Sequence, residues 1–203
     1  MIEYTFLVGA PGSRWSGIGQ TIADNFNYNT SDENQTRVYT HGDFSGHKGA
    51  YWGPGMELGN DFHCASTLEV KDFLDECDRA FIDNKKPMMI KCHQFAHSLD
   101  WLHQIPNSNI LLVRRTNQKC FEWWKQAGGW NITYPKYDWY KDDATMQKQI
   151  ELENTNADTF VKKHSKWYDY NESWITENFG QHNITIDSKF ADIQISLINS
   201  KGF

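Results

Sequence analysis

The sequence predicts a single α/β domain over residues 1–203, a three-layer fold in which a parallel sheet carries helices on both faces. Three observations lead to this prediction. Apolar runs of strand length alternate along the chain with segments of helical period. The first run is followed by a short loop of small residues and then by a helix. A chain of 203 residues is also long enough to bury one full core.

The predicted elements follow from local patterns along the chain. Uninterrupted apolar runs predict strands buried on both faces, and apolar residues three and four positions apart predict amphipathic helices. Ser66, with Glu69 three residues later, has the pattern of a helix cap. In chain order the predicted elements are a strand at 3–9, a helix at 15–26, a short strand at 36–40, a helix from Ser66 to about 81, a strand at 87–91, a short helix at 98–103, a strand at 109–113, helices at 117–127, 143–156 and 158–178, and a last strand at 183–187.

Residues 41–60 hold six of the fourteen glycines and predict an irregular loop. Aromatic, histidine and lysine side chains are interleaved with these glycines, which suits recognition of a sugar or another polar acceptor by stacking and hydrogen bonds. A surface loop without a binding role is the alternative. Tyr51, Trp52 and Met56 argue against that alternative, because apolar side chains of this size require burial.

The segment Gly9–Ser16 joins the first strand to the first helix and predicts a site for an anion. In such an arrangement the backbone N–H groups of the loop and the helix N-terminus can surround a phosphate. Compared with the phosphate-loop pattern G-x-x-x-x-G-K-[ST], the chain keeps Gly9 and Ser16 but has Arg14 and Trp15 in place of Gly-Lys. The lysine of nucleoside triphosphate sites is therefore missing. A plain strand-to-helix turn is the alternative.

Two further predicted strands end in basic residues. The strand that ends at Lys91 leads into His93, and the strand at 109–113 leads into Arg114 and Arg115. The carboxyl ends of parallel strands meet at one edge of a sheet, where ligands bind. We therefore expect these side chains near the Gly9–Ser16 loop, where an arginine can hold a phosphate through two hydrogen bonds.

Each of these residues also has a structural alternative. His93 could be an ordinary histidine at a strand end, and the arginines could pair with helix carboxylates such as Glu122 or Asp100, which is the interpretation we favour for Arg115. The nine tryptophans exceed the needs of a small core, so some are expected at a binding surface. The aromatic residues that we instead expect to pack in the core are Phe121, Trp123, Trp124 and Trp130.

The composition limits the classes of partner. A net charge of −6 argues against general binding of nucleic acid or of anionic membranes. The sequence has no apolar run of about 18 residues and no recognisable secretory signal, so a cytoplasmic protein that does not cross a membrane is expected. The oligomeric state cannot be deduced from these features.

The cysteines and histidines predict no metal site. The four cysteines form no C-x-x-C pair, a pattern typical of reduced thiols. The histidines and aspartate of the glycine-rich region match no compact metal-binding spacing. The residues concerned are Cys64, Cys77, Cys92 and Cys120, and His41, Asp43, His47 and His63.

Three segments together resemble the sulfotransferase family. Ala10-Pro-Gly-Ser-Arg-Trp-Ser16 resembles the family's 5′-phosphosulfate loop, usually of the form P-[KR]-S-G-T-[TS]. Met89-Ile-Lys-Cys-His93 resembles its K-[TS]-H strand end, and the segment 109–118 resembles its 3′-phosphate strand, of the form V-x-R-[DN]-P-x-D. The three segments occur in the family's order and frame about the first 125 residues.

The resemblance implies a P-loop fold and a reaction. A sulfuryl group would pass from 3′-phosphoadenosine 5′-phosphosulfate to a hydroxyl or amine acceptor, such as a glycan or a small molecule, with no metal required. His93 matches the family's general base, Lys91 matches the conserved lysine of the same strand end, and Arg14 is the cation of the loop itself. The implied donor-binding residues are Pro11, Gly12, Ser13, Arg14, Trp15, Ser16 and Arg114.

The chain also departs from the family pattern. Gly12 stands where the family has Lys or Arg, Arg14 where it has Gly, and Thr116 where it has Pro. Eight residues after Arg114, where the family has a serine on the 3′-phosphate, the chain has Glu122, whose carboxylate would repel that phosphate. Two alternatives therefore stay open. One is a nucleotide-dependent phosphotransferase or NTPase, and the other is a degenerate member that binds a nucleotide or glycan without turnover.

Overall fold

The computed structural model describes residues 3–41, 45–53, 55–59, 65–132, 137–180 and 184–201. Within these residues the chain forms seven strands and six α-helices, joined in part by 3₁₀ turns. The strands are β1 (Tyr4–Gly9), β2 (Val38–His41), β3 (Ser45–Lys48), β4 (Met88–Lys91), β5 (Ser108–Arg114), β6 (Tyr168–Asp169) and β7 (Gln194–Asn199). The helices are α1 (Trp15–Asn25), α2 (Val70–Asp78), α3 (Leu99–Leu102), α4 (Asn117–Gln126), α5 (Asp143–His164) and α6 (Glu172–Phe179).

Five strands form one mixed, mostly parallel sheet in the order β4-β1-β5-β7-β6. The first strand, β1, lies between β4 and β5 and runs parallel to both, with Leu7 opposite Lys91 and Gly9 opposite Val113. The carboxyl ends of β1, β4 and β5 therefore meet at one edge, here called the carboxyl edge. The prediction that the segments after these strands share one edge is confirmed. A crevice above the end of a central strand is the usual ligand site of such a sheet.

The last strand differs from the prediction in position and direction. Residues 184–187 form no strand, and Ile184 and Ile186 instead pack, partly buried, against the core. The sheet is completed by β7, which runs antiparallel to β5 and pairs with β6 on its other side. The prediction of a sheet that is parallel throughout is therefore wrong. Because β7 is an inner strand with β5 and β6 on its two sides, its apolar residues Ile195 and Ile198 are buried.

Two helix assignments also differ from the prediction. The sequence pattern predicts two helices, at 143–156 and 158–178. The structure instead has a single 22-residue helix, α5, which is followed by β6 and α6. This helix begins at a capping box in which the Asp142 carboxylate accepts the N–H of Thr145. Near residue 70, α2 begins at Val70 rather than at Ser66, because the extended backbone of Glu69 separates it from a short 3₁₀ turn.

Helices cover both faces of the first strand. Successive side chains of β1 point to opposite faces. Phe6 and Val8 belong to a core cluster that contains residues of α2, α3 and α5, whereas Leu7 belongs to a second cluster with residues of α1 and α6. Every residue of β1 is buried, as its uninterrupted apolar run predicts.

The glycine-rich segment is more ordered than the prediction of an irregular loop. Its described part contains β3, which pairs with β2 as an antiparallel hairpin, while residues 42–44, 54 and 60 of this segment lie outside the described residues. Tyr51 and Trp52 are buried, so the expectation that they need burial is confirmed. Trp52 packs against Phe73 with ring centroids 4.6 Å apart, and Tyr51 packs against Trp15 at 5.6 Å. The hairpin is thereby held beside the start of α1.

Candidate functional site

The loop from Ala10 to Arg14 makes a tight turn at the end of β1. The N–H of Ser13 donates to the carbonyl oxygen of Ala10 at 3.0 Å and closes the turn. Gly12 has a φ of 79° and Arg14 a φ of 66°, both in the left-handed region that favours glycine. Arg14 therefore adopts the backbone conformation for which the family pattern uses glycine, and its side chain leaves the turn intact.

Gly12 lies against the backbone of α4. A Cβ built on Gly12 would come within 1.9 Å of the carbonyl oxygen of Cys120. A lysine or arginine at this position, as in the family pattern, would therefore require α4 to move. The close packing of the loop against α4 therefore leaves no space for a side chain at position 12.

The start of α1 presents unused backbone donors at the carboxyl edge. The N–H groups of Arg14, Trp15, Ser16 and Gly17 make no hydrogen bond to the described residues, and the helix has no side-chain cap. Consecutive free N–H groups at a helix N-terminus favour an anion. The backbone N–H groups at the start of α1 therefore have the arrangement of an anion cradle.

Arg14 brings a cation to the cradle. The Cζ atom of its guanidinium lies 3.5 Å from the centroid of the Trp123 ring. The same atom lies 5.6 Å from the centroid of the Phe190 ring. The Nε atom of Arg14 is buried and has no partner among the described residues. Burial, and then the nearby charge of Arg115, lower the pKa of Arg14. The side chain is thus held by aromatic rings rather than by a carboxylate, which leaves hydrogen-bond donors for a ligand.

The loop borders a small cavity that His93 also borders. The cavity has a volume of about 110 Å³. Trp124 is buried in the core, as expected, and with Trp123 it also forms part of the cavity wall, whereas Trp130 is exposed. A groove of about 590 Å³ between α1 and the hairpin shares five of the same residues and continues from the cavity. The cavity is lined by Pro11, Gly12, Arg14, Trp15, Ser16, Gly46, His47, His93, Trp123, Trp124, Ala127 and Ile132.

His93 is the first residue of the 3₁₀ turn that follows β4. Its Nδ1 lies 2.7 Å from Oε1 of Glu153 on α5, and the side chain is 14% exposed. The edge of the ring faces Trp139, with centroids 5.5 Å apart. The structure therefore brings His93 and the loop together, as the strand pattern predicts, and adds a carboxylate that the sequence analysis missed. Glu153 lies on the buried stripe of α5 with Met146, Ile150 and Ala157, a helical spacing that is readable in the sequence.

Lys91 is placed differently from His93. Its side chain is 4% exposed, and its Nζ lies 3.4 Å from Oδ2 of Asp32 and 3.1 Å from the carbonyl oxygen of Lys48. The same Asp32 oxygen accepts the N–H of Ala50 at 2.9 Å. Lys91 is not among the residues that line the cavity, so its contacts are those of a buried structural ion pair.

The two arginines at the end of β5, Arg114 in the strand and Arg115 just after it, are both paired with carboxylates. Arg114 donates from Nε and Nη2 to the two oxygens of Asp158 at 3.0 and 3.2 Å. Arg115 donates from Nε to Asp192 at 2.8 Å, which confirms a structural pairing for Arg115 but with a different carboxylate from those expected. Trp167 also donates to Asp158. The arginine that the family resemblance assigns to the 3′-phosphate is therefore already held in a two-pronged ion pair.

Glu122 does not close this region. Its carboxylate accepts a hydrogen bond from the side chain of Gln118, one turn earlier on the exposed side of α4, at 2.8 Å. Cys77, Cys92 and Cys120 are buried, and burial raises the pKa of Cys77 and raises that of Cys120 to about 12. The thiols of Cys77 and Cys120 therefore stay protonated near neutral pH.

None of the helices in the described ranges is both long and apolar enough to span a membrane. No group of three or more His, Cys, Asp or Glu side chains among the described residues is arranged to hold a metal ion. Asp43 and His63 lie outside the described residues, as does Cys64.

Comparisons of the chain with models of known protein families, with curated proteins and with solved structures found no match.

Proposed function

We propose that this chain has a P-loop-type three-layer fold and transfers a sulfuryl group from 3′-phosphoadenosine 5′-phosphosulfate to a hydroxyl or amine acceptor. One observation carries the proposal. The loop with its free N–H groups and His93 line the same cavity of about 110 Å³. An anion cradle next to an imidazole is what transfer of an anionic group to a weakly acidic acceptor requires.

The proposed reaction is a direct transfer. The acceptor oxygen or nitrogen attacks sulfur, and the bond between sulfur and the bridging oxygen of the 5′-phosphate breaks. The electron pair of that bond stays on the bridging oxygen, and the acceptor's proton passes to His93. The products are the sulfated acceptor and adenosine 3′,5′-bisphosphate. The N–H groups at the start of α1 and the Arg14 guanidinium stabilise the charge that develops on the bridging oxygen.

The cavity fits only the reacting groups, so the rest of the ligands must lie elsewhere. A volume of about 110 Å³ accepts a tetrahedral anion and the reacting atom of an acceptor, but not a nucleotide. The continuous groove of about 590 Å³ offers room for a larger group, and Lys48 and Lys189 lie on its wall. A 3′-phosphate on Arg114 would have to displace Asp158.

Calorimetry with adenosine 3′,5′-bisphosphate, in the absence of metal, tests the proposal. Arg14→Gln is expected to weaken binding by about tenfold to a hundredfold, because it removes a charged donor to a buried anion. The matched control is Arg79→Gln, which removes a half-exposed arginine on the far end of α2 and should leave the affinity unchanged. A wild-type protein that binds neither the bisphosphate nor inorganic sulfate would contradict the proposal.

One observation favours a second candidate function, binding of an anionic ligand without transfer. The two-pronged pair between Arg114 and Asp158 leaves the predicted 3′-phosphate ligand engaged. If the pair excludes the 3′-phosphate, AMP binds as well as the bisphosphate, and Asp158→Asn raises the affinity for the bisphosphate alone. Equal affinity for AMP and the bisphosphate in the wild-type protein would favour the second candidate, and a rise for the bisphosphate in Asp158→Asn would show that the ion pair is the cause.

A further inference from the structure

A buried carboxylate lies behind the cavity histidine. The Glu153 side chain is 0% exposed, which is rare for a glutamate unless it has partners. Its Oε1 lies 2.7 Å from Nδ1 of His93 and accepts a hydrogen bond from Nε2 of Gln149, also at 2.7 Å. Its Oε2 is buried without a partner among the described residues. The position therefore carries a cost in desolvation that packing alone does not explain.

The contact with Glu153 bears on which nitrogen of His93 carries hydrogen. With Glu153 ionised, its oxygens only accept hydrogen bonds, so in that state the 2.7 Å contact places the hydrogen on Nδ1. A neutral imidazole has one N–H, and its other nitrogen then carries a lone pair. Since Nδ1 is directed at α5, Nε2 is the nitrogen left for the cavity that His93 lines.

We propose that Glu153 is a positioning residue for His93. It holds the ring with Nδ1 protonated, so that Nε2 faces the cavity as the atom that accepts the acceptor's proton. This inference rests on the proposed function, because it gives a role to the nitrogen that faces the anion cradle. The edge-on contact with Trp139 restricts rotation of the same ring.

In the proposed step one proton moves from the acceptor to His93. The proton leaves the acceptor hydroxyl or amine and binds Nε2, while the acceptor forms its bond to sulfur and the donor's bridging oxygen keeps the electron pair. His93 is then a cation with hydrogen on both nitrogens. The Glu153 carboxylate, in direct contact with Nδ1, stabilises that cation.

Few other groups compete for this carboxylate. His97 lies on the same 3₁₀ turn with its Nε2 at 3.8 Å from Oε1, beyond a short hydrogen bond. Cys120 and Tyr137 also interact electrostatically with Glu153, and burial raises the pKa of each to about 12, so both stay neutral near pH 7. Neither of these two groups therefore places a charge beside Glu153 near neutrality.

Nuclear magnetic resonance of the imidazole nitrogens tests this inference without any donor. Spectra of ¹⁵N-labelled protein report which nitrogen of each histidine is protonated, and the His93→Gln variant identifies the His93 signals. Wild-type His93 is expected to show a protonated Nδ1 and an unprotonated Nε2 at slightly alkaline pH. Glu153→Leu should transfer population to the form protonated on Nε2. The control is Gln149→Leu, which removes the other hydrogen bond to Oε1 and should leave the His93 tautomer unchanged.

A second readout separates this role from a purely structural one. With the proposed donor, Glu153→Leu is expected to lower kcat by about a hundredfold or more, with bisphosphate affinity within about twofold of wild type. Gln149→Leu should change kcat by less than about threefold. A wild-type His93 protonated on Nε2, or an unchanged tautomer in Glu153→Leu, would overturn the inference. If the expected tautomers are seen but no bisphosphate binds, the proposed donor is wrong and the positioning of His93 by Glu153 stands.

Discussion

Replacing Lys91 should destabilise the fold, because this lysine forms a buried ion pair with Asp32. The two side chains are 4% and 3% exposed, and Nζ lies 3.4 Å from Oδ2. At an effective dielectric constant of about 20, the attraction at this distance is about 5 kcal/mol, offset in part by the cost of desolvating both charges. Lys91→Met leaves the Asp32 carboxylate buried with the N–H of Ala50 as its remaining partner. The expected loss is about 3–5 kcal/mol of unfolding free energy.

The assay is urea denaturation followed by circular dichroism, with a thermal melt as a second measure. For a chain of 203 residues the expected loss lowers Tm by roughly 6–20 °C. The matched control is Lys71→Met, since Lys71 forms an exposed ion pair with Asp75 and its removal should leave the midpoint almost unchanged.

A double-variant cycle separates the pair from the rest of its surroundings. Asp32→Asn alone should also destabilise, because it leaves the Lys91 charge buried with the carbonyl oxygen of Lys48. The double variant should lose less than the two single losses added together, with a coupling of about 2–3 kcal/mol. A Lys91→Met variant that keeps wild-type stability while losing sulfuryl transfer would contradict this structural role. That result would assign Lys91 to the reaction, as the family resemblance implies.

Three further predictions follow from other sites. Gly12→Ala should destabilise the protein by several kcal/mol, because its φ is 79° and its Cβ would meet the Cys120 carbonyl at 1.9 Å, whereas Gly17→Ala, with open space around the Cβ, should be tolerated in the same denaturation assay. His93→Ala should reduce transfer by about a hundredfold or more while bisphosphate affinity, measured by calorimetry, stays near wild type, and equal activity would move the base elsewhere. Burial, and then nearby basic side chains, lower the pKa of His164. As the pH falls, the unfolded chain therefore takes up a proton at this residue at a higher pH than the folded chain does. Stability should therefore fall as the pH drops below about 6.5, and this fall should be smaller in His164→Gln when unfolding free energies are compared across pH.

Much of the fold could be predicted because it depends on local patterns. The runs that became β1, β4 and β5 are apolar and short, and their alternation with helices implies parallel strands with a common carboxyl edge. The prediction failed where local patterns were ambiguous. The short apolar segment 184–187 has the pattern of a strand, but the position beside β5 in the sheet is occupied by β7.

Proximity of the loop and His93 was determined by the sequence itself, since both directly follow parallel neighbouring strands. The partners of the charged residues were decided by the tertiary structure alone. Lys91 pairs with Asp32, 59 positions away, Arg114 pairs with Asp158, 44 positions away, and His93 meets Glu153, 60 positions away. A strand pattern predicts the edge of the sheet at which a charged residue lies. Which carboxylate meets it depends on the rotation and position of the helix packed above, and that is set by the whole core.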